Sequence, residues 1–521
     1  MILFKGGTII DGTGKPAFVG DVLVDGDKIK DICPSSLHLG TTPDDEIVDA
    51  TGAIVSPGFI DAHTHSDAYL VIEPDAPSKI TQGITTELNG QCGGSIAPRY
   101  GEARLSSDWA AILGPRLTWR SLAEYREVLA AAKPAVNTVQ FVGHNTLRSS
   151  VVGYAGRVAT SDEQKKMERL LEQSLDEGGW GLTTGLVYQP GKYSTPEEVV
   201  SLAKVAAAKG GYYATHMRSE GDRILEAIDE VIELVKATGI KAEISHLKTS
   251  GRKNWNKIDA VLAKIEDAMS QGLLLGSDRY PYCAAGTDLD IVLPDWAQEG
   301  ATLAEMERLG DVGLRARIIE EINASDRDWS EVMIGGTWAE VNKPFSGKTV
   351  AEILQTSSTT PGELITTILF ADGCKTGVFF FGMSEENLAK IYSRPWIVPG
   401  SDASLRAPWG PLGKDHPHPR AYATMSEFYR RVRALGFSRE ETIARMTSVI
   451  ADRFGIKNRG RIEKGAYADL VIWDEAEFKA KATFVNPHQF SGGVKCVMVN
   501  GTIPYRDGKF TGNRAGRFLE R

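Results

Sequence analysis

Short apolar segments alternate with segments of helical periodicity through the middle of the chain. Within residues 223–238, the side chains of Ile224, Ile228, Ile232 and Val235 recur at helical spacing and define one apolar face. Eight short apolar segments are predicted to be strands, with polar residues at or just beyond their ends: 58–63, 83–88, 138–143, 181–186, 211–216, 241–246, 273–278 and 396–402. Eight strands alternating with helices predict a (β/α)8 barrel, whose strand ends carry the functional residues.

The two ends of the chain show a different pattern, with strand-like segments separated by tight turns. Residues 22–29 contain an Asp-Gly turn and residues 494–502 close on Asn-Gly, and both dipeptides are hairpin signals. We therefore predict an α/β protein with a distorted (β/α)8 TIM barrel at 57–459. A small β-sandwich domain built from both termini is predicted at 1–56 and 460–521.

The connection between the last two predicted barrel strands is unusually long. Residues 287–355 are rich in acidic and aromatic side chains. A structureless connection of this length is uncommon in a compact domain. We expect the segment to form an insertion that covers the mouth of the barrel.

Composition and charge exclude several classes of partner. The 521 residues carry a formal net charge of −9, which argues against nucleic acid or an anionic membrane surface as the main partner. No apolar stretch approaches the roughly 20 residues of a membrane span, and the first ten residues are typical of a strand rather than a signal peptide. Five scattered cysteines do not suggest a disulfide framework. A soluble, cytoplasmic protein is expected, and assembly into a homo-oligomer is left open.

Two histidines follow the first predicted strand, in His63-Thr64-His65. On an extended strand, residues i and i+2 point the same way, so both imidazoles are expected to face one site. The alternative is a pair of loop histidines that only make hydrogen bonds. For His416 and His418, which lie in a Pro-rich loop, we favour that alternative.

Further metal-ligand residue types end other strands. Cys92 lies between glycines after the second strand, where a thiolate ligand is favoured over the buried apolar role of most lone cysteines. A nucleophilic role is less favoured, because no Cys/His pair with an orienting third group is apparent. His216 and His246 occupy matching positions at the ends of the fifth and sixth strands, and Asp402 ends the eighth. The alternative for Asp402 is a helix-capping or turn carboxylate.

These residues together predict a catalytic zinc site. Nitrogen and sulfur ligands with an open position are typical of catalytic zinc. Such a cation lowers the pKa of bound water to about 7 and polarises a carbonyl group. Asp402 is expected to accept the water proton and deliver it to a leaving nitrogen.

Several motifs carry a resemblance to a known family. The first-strand segment 57–67 resembles the signature of the amidohydrolase superfamily. Other segments resemble motifs of the N-acyl-D-amino-acid deacylases (D-aminoacylases): 89–93, 215–218, 244–248, 400–402 and 418–422. Segment 460–471 resembles the return into the small β domain, so the resemblance covers nearly the whole chain.

The resemblance implies roles for the metal-ligand residues. Cys92 takes the place of the carboxylated lysine of other amidohydrolases and, with His216 and His246, would hold a tightly bound zinc ion. His63 and His65 would form a second, weaker metal site. Asp402 matches the catalytic base of the family.

The resemblance also implies a substrate with a free carboxylate. Four residues match positions at which the family binds the α-carboxylate and the carbonyl: Lys248, Arg420, Tyr188 and Tyr282. Arginine offers a bidentate fork to a carboxylate and lysine a point charge. His144 and Arg148, after the third strand, are also expected to face the mouth and to contact substrate in a role left open.

The expected reaction is hydrolysis of an N-acyl-D-amino acid. A cyclic amide or imide hydrolase and a dipeptidase remain alternatives on the same metal site. A non-catalytic scaffold is disfavoured, because all the expected ligands and the base are present. Ala403, where the family often has glycine, and the longer segment 404–415 leave the substrate side chain open.

Overall fold

The computed structural model of the protein describes residues 1–34, 39, 42–105 and 107–521. The strands of this part are β1 (Ile2–Ile9), β2 (Phe18–Asp25), β3 (Lys28–Pro34), β4 (Glu46–Asp49), β5 (Ile54–Pro57), β6 (Phe59–Asp61), β7 (Ile84–Asn89), β8 (Asn137–Gln140), β9 (Val142–Gly143), β10 (Gly181–Gly185), β11 (Tyr212–His216), β12 (Lys241–Ile244), β13 (Leu275–Arg279), β14 (Ala285–Asp288), β15 (Val332–Ile334), β16 (Gly377–Phe380), β17 (Ile397–Pro399), β18 (Leu470–Trp473), β19 (Val494–Val499), β20 (Thr502–Arg506) and β21 (Lys509–Phe510).

The α-helices of the same part are α1 (Tyr69–Ile72), α2 (Pro77–Ile80), α3 (Ser107–Leu113), α4 (Leu122–Ala132), α5 (His144–Val151), α6 (Ser161–Asp176), α7 (Pro196–Ala208), α8 (Ile224–Thr238), α9 (Ile258–Ser270), α10 (Asp295–Gln298), α11 (Ala301–Gly310), α12 (Val312–Asn323), α13 (Val350–Leu354), α14 (Pro361–Asp372), α15 (Glu385–Tyr392), α16 (Arg420–Ala434), α17 (Arg439–Met446) and α18 (Ser448–Phe454). None of the helices in this part is both long and apolar enough to cross a bilayer.

Parallel strands close into a barrel. One sheet has the order β17-β13-β12-β11-β10-β9 and a second the order β6-β7-β8. The two sheets join on one side at Phe141, the residue between β8 and β9. Its N–H donates to the Asn89 carbonyl at 3.0 Å. On the other side, the N–H of Ala62 donates to the Pro399 carbonyl at 3.2 Å. The barrel of the predicted fold class is confirmed.

Amphipathic helices cover the outside of the barrel. In α8, the predicted apolar face is confirmed, because Ile224, Ile228, Ile232 and Val235 are all buried. Burial of one such side chain contributes about 1.5–3 kcal/mol. The helix is followed by Gly239, whose φ of 67° is a left-handed conformation that glycine adopts without strain.

Strands from both ends of the chain form the predicted β-rich domain. Nine strands lie in one sheet, with the path β21-β20-β19-β18-β5-β1-β2-β3 and with β4 paired to β1. A separate apolar core lies within this domain and draws on both termini, including Phe4, Val22, Leu470 and Met498. The antiparallel pairing of β18 with β5 therefore joins the two ends of the chain.

The chain between β13 and β17 builds a further layer. Strands β14 and β15 flank β16 in an antiparallel sheet, and α10–α14 pack with it around a core of their own. Leu289, Ile318, Ile365 and Val378 of this core are fully buried. The predicted insertion 287–355 lies within this segment. The bounds given above for the barrel and the β-rich domain remain predictions from the sequence.

A buried polar network joins the β-rich domain to the barrel. Arg459 forms an ion pair with Asp469, and each side chain is 3% exposed. Arg459 also donates to the side chain of Asn500 at 2.8 Å. The Asn500 amide in turn donates to Asn137 of β8 at 2.8 Å. Removal of one partner leaves the other charge buried without compensation.

We expect Arg459→Met to lower the free energy of unfolding by about 3–5 kcal/mol, because it strands the Asp469 carboxylate. The matched control is Arg461→Met. Arg461 forms an ion pair with Asp452 at the surface, where the two side chains are 29% and 61% exposed. The control is expected to lose about 0–1 kcal/mol. Urea unfolding measures the free energy of unfolding of both variants. Equal losses of free energy in the two would contradict a stabilising role for the buried network.

Candidate metal and active site

The ring of the first predicted metal ligand, His63, is oriented by an aspartate at its Nδ1 atom. His63 follows β6, and its buried ring places Nδ1 3.3 Å from Oδ2 of Asp278, in β13. Oδ1 of the same carboxylate accepts the N–H of His246 at 3.0 Å. An acidic group on the far ring nitrogen is the usual way to orient a metal-binding imidazole. Asp278 therefore holds two candidate ligands in place, a role that its position at the end of an apolar segment does not indicate.

Cys92 lies between two of the predicted histidines. Its Sγ is 3.2 Å from Nε2 of His63 and 3.3 Å from Nε2 of His246. The loop that carries it packs against β10 at Gly185, where a Cβ atom would lie 2.1 Å from the Cys92 carbonyl oxygen. Burial opposes ionisation, but the charges of His63 and His246 hold the pKa of Cys92 well below its usual value. The thiolate, which is the form that binds metals, is favoured.

A second group of ligand atoms is centred on Glu220. Its carboxylate lies 3.5 Å from Nε2 of His216 and 2.9 Å from Nδ1 of His246, and it also pairs with Lys248. His216 ends β11, His246 follows the end of the adjacent β12, and their ring centroids are 4.5 Å apart. Glu220 was missed because it lies four residues beyond His216 in a loop, where no periodicity indicates its orientation.

Asp402 reaches the same cluster from the last barrel strand. Its Oδ1 is 3.1 Å from Nε2 of His65 and 3.4 Å from Nε2 of His63, and its Oδ2 is 2.8 Å from Nη1 of Arg420. Although burial opposes ionisation, Arg420 and His246 hold the pKa of Asp402 well below its usual value. The side chain is therefore a carboxylate and able to accept a proton.

A buried lysine supports the backbone around Asp402. The Nζ of Lys79 donates to the Ala403 carbonyl at 3.1 Å, to Oγ of Ser401 at 3.1 Å and to Oδ2 of Asp61 at 3.0 Å. The other oxygen of Asp61 accepts the N–H of Ser401 at 2.8 Å. These bonds fix the residues on both sides of the carboxylate.

The donor set fits a zinc-type cation. The ligand atoms of His63, Cys92, His246 and Asp402 all lie within 4.8 Å of one another, as do those of His216, Glu220 and His246. Ligands of a tetrahedral zinc ion are roughly 3.3–3.7 Å apart, close to the sulfur–nitrogen distances at Cys92. Nδ1 of His216 is buried and has no hydrogen-bond partner, so it remains available.

Two of the residues predicted to bind substrate, Lys248 and Tyr188, lie next to this cluster. Lys248 Nζ is 2.8 Å from Nδ1 of His246, and the Tyr188 ring centroid is 4.9 Å from that of His216. Tyr282 lies further out, with its ring centroid 5.2 Å from that of His418.

Tyr280, which the sequence analysis did not single out, lies closer to the cluster than Tyr282. Its ring centroid is 6.5 Å from that of His246, and its buried hydroxyl has no hydrogen-bond partner. Burial opposes ionisation, but Lys248, Arg279 and Arg420 lower the pKa of Tyr280. The strand-end pattern Tyr-Pro-Tyr did not indicate which of the two rings turns inward.

His144 and Arg148 lie in a different environment. Both are fully buried, and both pair with Glu198 of α7, His144 through Nε2 at 2.9 Å. Arg148 also donates to the Arg157 carbonyl. Helix α5 begins at His144, so helical geometry rather than strand geometry sets the direction of these side chains. The structure joins them to Glu198 and not to the metal-ligand cluster.

The two histidines of the Pro-rich loop make backbone hydrogen bonds. Nε2 of His416 lies 2.6 Å from the Phe484 carbonyl, and Nε2 of His418 lies 2.9 Å from the Ala284 carbonyl. Burial and the nearby Arg420 hold the pKa of His418 well below its usual value, so its ring is neutral.

Comparison with known proteins extends over the whole chain. A family profile described as "Amidohydrolase family" matches residues 46–357 and 377–505. The D-aminoacylase of Alcaligenes xylosoxydans xylosoxydans is 32% identical, over 100% of this chain and 97% of that protein. A solved D-aminoacylase, described with a binuclear metal centre, has a TM-score of 0.83 at 32% identity, over 100% of this chain and 99% of that one.

A second solved relative carries zinc. The N-acyl-D-glutamate deacylase of Bordetella bronchiseptica, solved with zinc and a phosphonate inhibitor, has a TM-score of 0.84 at 30% identity. The alignment covers 100% of this chain and 99% of that one. With a profile match over most of its length and relatives of this similarity, the chain belongs to the amidohydrolase family, within the group of the D-aminoacylases and related N-acyl-D-amino-acid deacylases.

Proposed function

We propose that the protein hydrolyses the amide bond of an N-acyl-D-amino acid, releasing a carboxylate and a free D-amino acid, with zinc as its cofactor. The observation that carries the proposal is the position of the Cys92 sulfur, 3.2–3.3 Å from two imidazoles, beside an ionised Asp402 that contacts Arg420. The names of the full-length relatives support this substrate class.

The metal would be held at two adjoining positions. Cys92, His216 and His246 would bind one zinc ion, with His63 and His65 beside Asp402 as a second, weaker site. The ligand atoms of Cys92, His63 and His246 lie within one group, and Glu220 adds a carboxylate oxygen next to His216. When bound, zinc supplies a Lewis acid for the amide carbonyl and acidifies water.

The α-carboxylate of the substrate would be held by Lys248 and Arg420. Arg420 uses Nη1 for Asp402, while its buried Nε has no hydrogen-bond partner and is free to donate. Lys248 adds a second positive charge next to His246. A guanidinium that contacts both the base and the substrate carboxylate would fix the distance between them.

Asp402 would move the proton. Its contacts with His65 and Arg420 keep it ionised, so it accepts a proton from water and passes it to the leaving nitrogen. Tyr280 and Tyr188 have hydroxyl groups near the cluster, and Tyr280 in particular has an unpaired donor for the amide oxygen or the carboxylate. Burial excludes bulk water and strengthens these interactions.

Hydrolysis of a cyclic amide at this site receives less support. A cyclic amide lacks the free carboxylate that Lys248 and Arg420 are placed to bind.

A substrate panel is expected to show hydrolysis of N-acetyl-D-amino acids, with no turnover of N-acetyl-L-amino acids or 5-substituted hydantoins. Ninhydrin detection of the released amine measures it, and turnover confined to hydantoins would contradict the proposal.

Cys92→Ala is expected to release the metal, because it removes the sulfur shared by His63 and His246. Zinc content after gel filtration, measured by elemental analysis, should fall at least about tenfold. Cys283→Ala is the matched control and should retain zinc, because Cys283 belongs to neither ligand group. Equal zinc content in the two variants would place the metal elsewhere.

Asp402→Asn is expected to retain zinc on the remaining nitrogen and sulfur donors but to lose the proton acceptor. The value of kcat should fall by about 10²–10⁴-fold, the usual contribution of a general base. Steady-state kinetics with elemental analysis of the same sample tests this. Unchanged turnover would show that another group moves the proton.

A further inference from the structure

Arg279, the last residue of β13, carries a buried guanidinium that forms no ion pair with a carboxylate among the described residues. The residue is 1% exposed. Its Nη2 donates to the Tyr282 carbonyl at 2.8 Å and lies 3.0 Å from the sulfur of Met383. Both Nε and Nη1 are buried without a hydrogen-bond partner. A carbonyl and a thioether satisfy part of the hydrogen bonding of the guanidinium, and no carboxylate neutralises its charge.

The acidic groups of this region are engaged elsewhere. Glu385 pairs with Arg431, with one oxygen 3.2 Å from Nη2. Asp402 pairs with Arg420 and Glu220 with Lys248. Cys283 supplies no charge either, since burial raises its pKa to about 12. Buried charges in proteins are normally paired, and an unpaired one is costly.

The position of Arg279 connects this charge to the substrate site. Its guanidinium lies 3.9 Å from the ring centroid of Tyr280, and the Arg420 guanidinium lies 4.5 Å from the same centroid. Lys248 Nζ is 5.8 Å from it. Three cations therefore surround one tyrosine ring, although one carboxylate needs only two of them.

Two residues that contact Arg279 carry further unpaired donors. The hydroxyl groups of Tyr280 and Tyr282 are both buried without a partner. Tyr282 and Met383, which contact Arg279, are only half-buried. Unpaired donors around an unpaired cation are the features of a site for an anionic, acceptor-rich group.

We propose that Arg279 forms a second anion subsite and that the protein acts on N-acyl-D-amino acids that carry a second carboxylate. The inference rests on the proposed function, in which Lys248 and Arg420 hold the α-carboxylate. The second carboxylate belongs either to the amino-acid side chain or to the acyl group, and matched substrates distinguish these two sources.

The test compares kcat/KM for matched pairs of substrates. N-acetyl-D-glutamate against N-acetyl-D-glutamine probes a side-chain carboxylate, and N-succinyl-D-leucine against N-acetyl-D-leucine probes an acyl carboxylate. The native enzyme is expected to prefer the charged member of one pair by about 10- to 100-fold, the usual effect of a charge-assisted hydrogen bond. Equal kcat/KM values within both pairs would overturn the inference.

Variants assign that preference to Arg279. Arg279→Met should reduce the charged-to-neutral ratio to about one, and Arg279→Lys should keep part of it, because the charge remains and the fork is lost. The control Arg317→Met removes an exposed arginine of α12 that pairs with Glu321, and it should keep the full ratio. If Arg279→Met does not fold, Arg279→Lys alone tests the assignment. An unchanged charged-to-neutral ratio in Arg279→Lys would contradict binding of the second carboxylate by the guanidinium of Arg279.

The outcome separates this inference from the proposed function. Hydrolysis of the neutral and charged members at equal rates would refute the second subsite and leave the deacylase proposal standing. Absence of hydrolysis of all four substrates, in enzyme shown to contain zinc, would refute the proposed function itself.

Discussion

The sulfur of Cys92 lies within 3.3 Å of the Nε2 atoms of both His63 and His246, and the rest of the site depends on this contact. A half-buried thiolate and several imidazoles are stable at such distances only if they share protons or a cation. The barrel makes the contact by closing, since β6, β7 and β12 are separated in sequence but end at one rim. The Asp402 carboxylate reaches the same point from β17, so one closed sheet brings together ligands and base.

The backbone around the cluster is strained in a consistent way. Cys92, His246 and Asp402 have φ values of 52°, 40° and 49°, in the left-handed region that residues other than glycine seldom adopt. Each such conformation costs about 1–3 kcal/mol and persists only where the surroundings enforce it. Asp278, which binds the backbone of His246, and Lys79, which binds the backbone next to Asp402, supply that support.

The sequence was sufficient to predict the features that follow from periodicity and strand ends. The apolar face of α8, the barrel and the convergence of His63, Cys92, His216 and His246 were predicted because neighbouring parallel strands end at one rim. Glu220 could not be predicted, since no rule gives the direction of a loop residue four positions after a strand. The directions of His144 and Arg148 were not predicted either, although both follow a strand. Helix α5 begins at His144, and helical geometry turns both side chains towards Glu198.

X-ray absorption spectroscopy at the zinc edge of the zinc-loaded protein tests the central claim most directly. We expect one sulfur at about 2.3 Å in the first coordination shell, together with nitrogen or oxygen ligands at about 2.0–2.2 Å. A first shell of nitrogen and oxygen alone would contradict it, because the thiolate between the two imidazoles would then bind no metal.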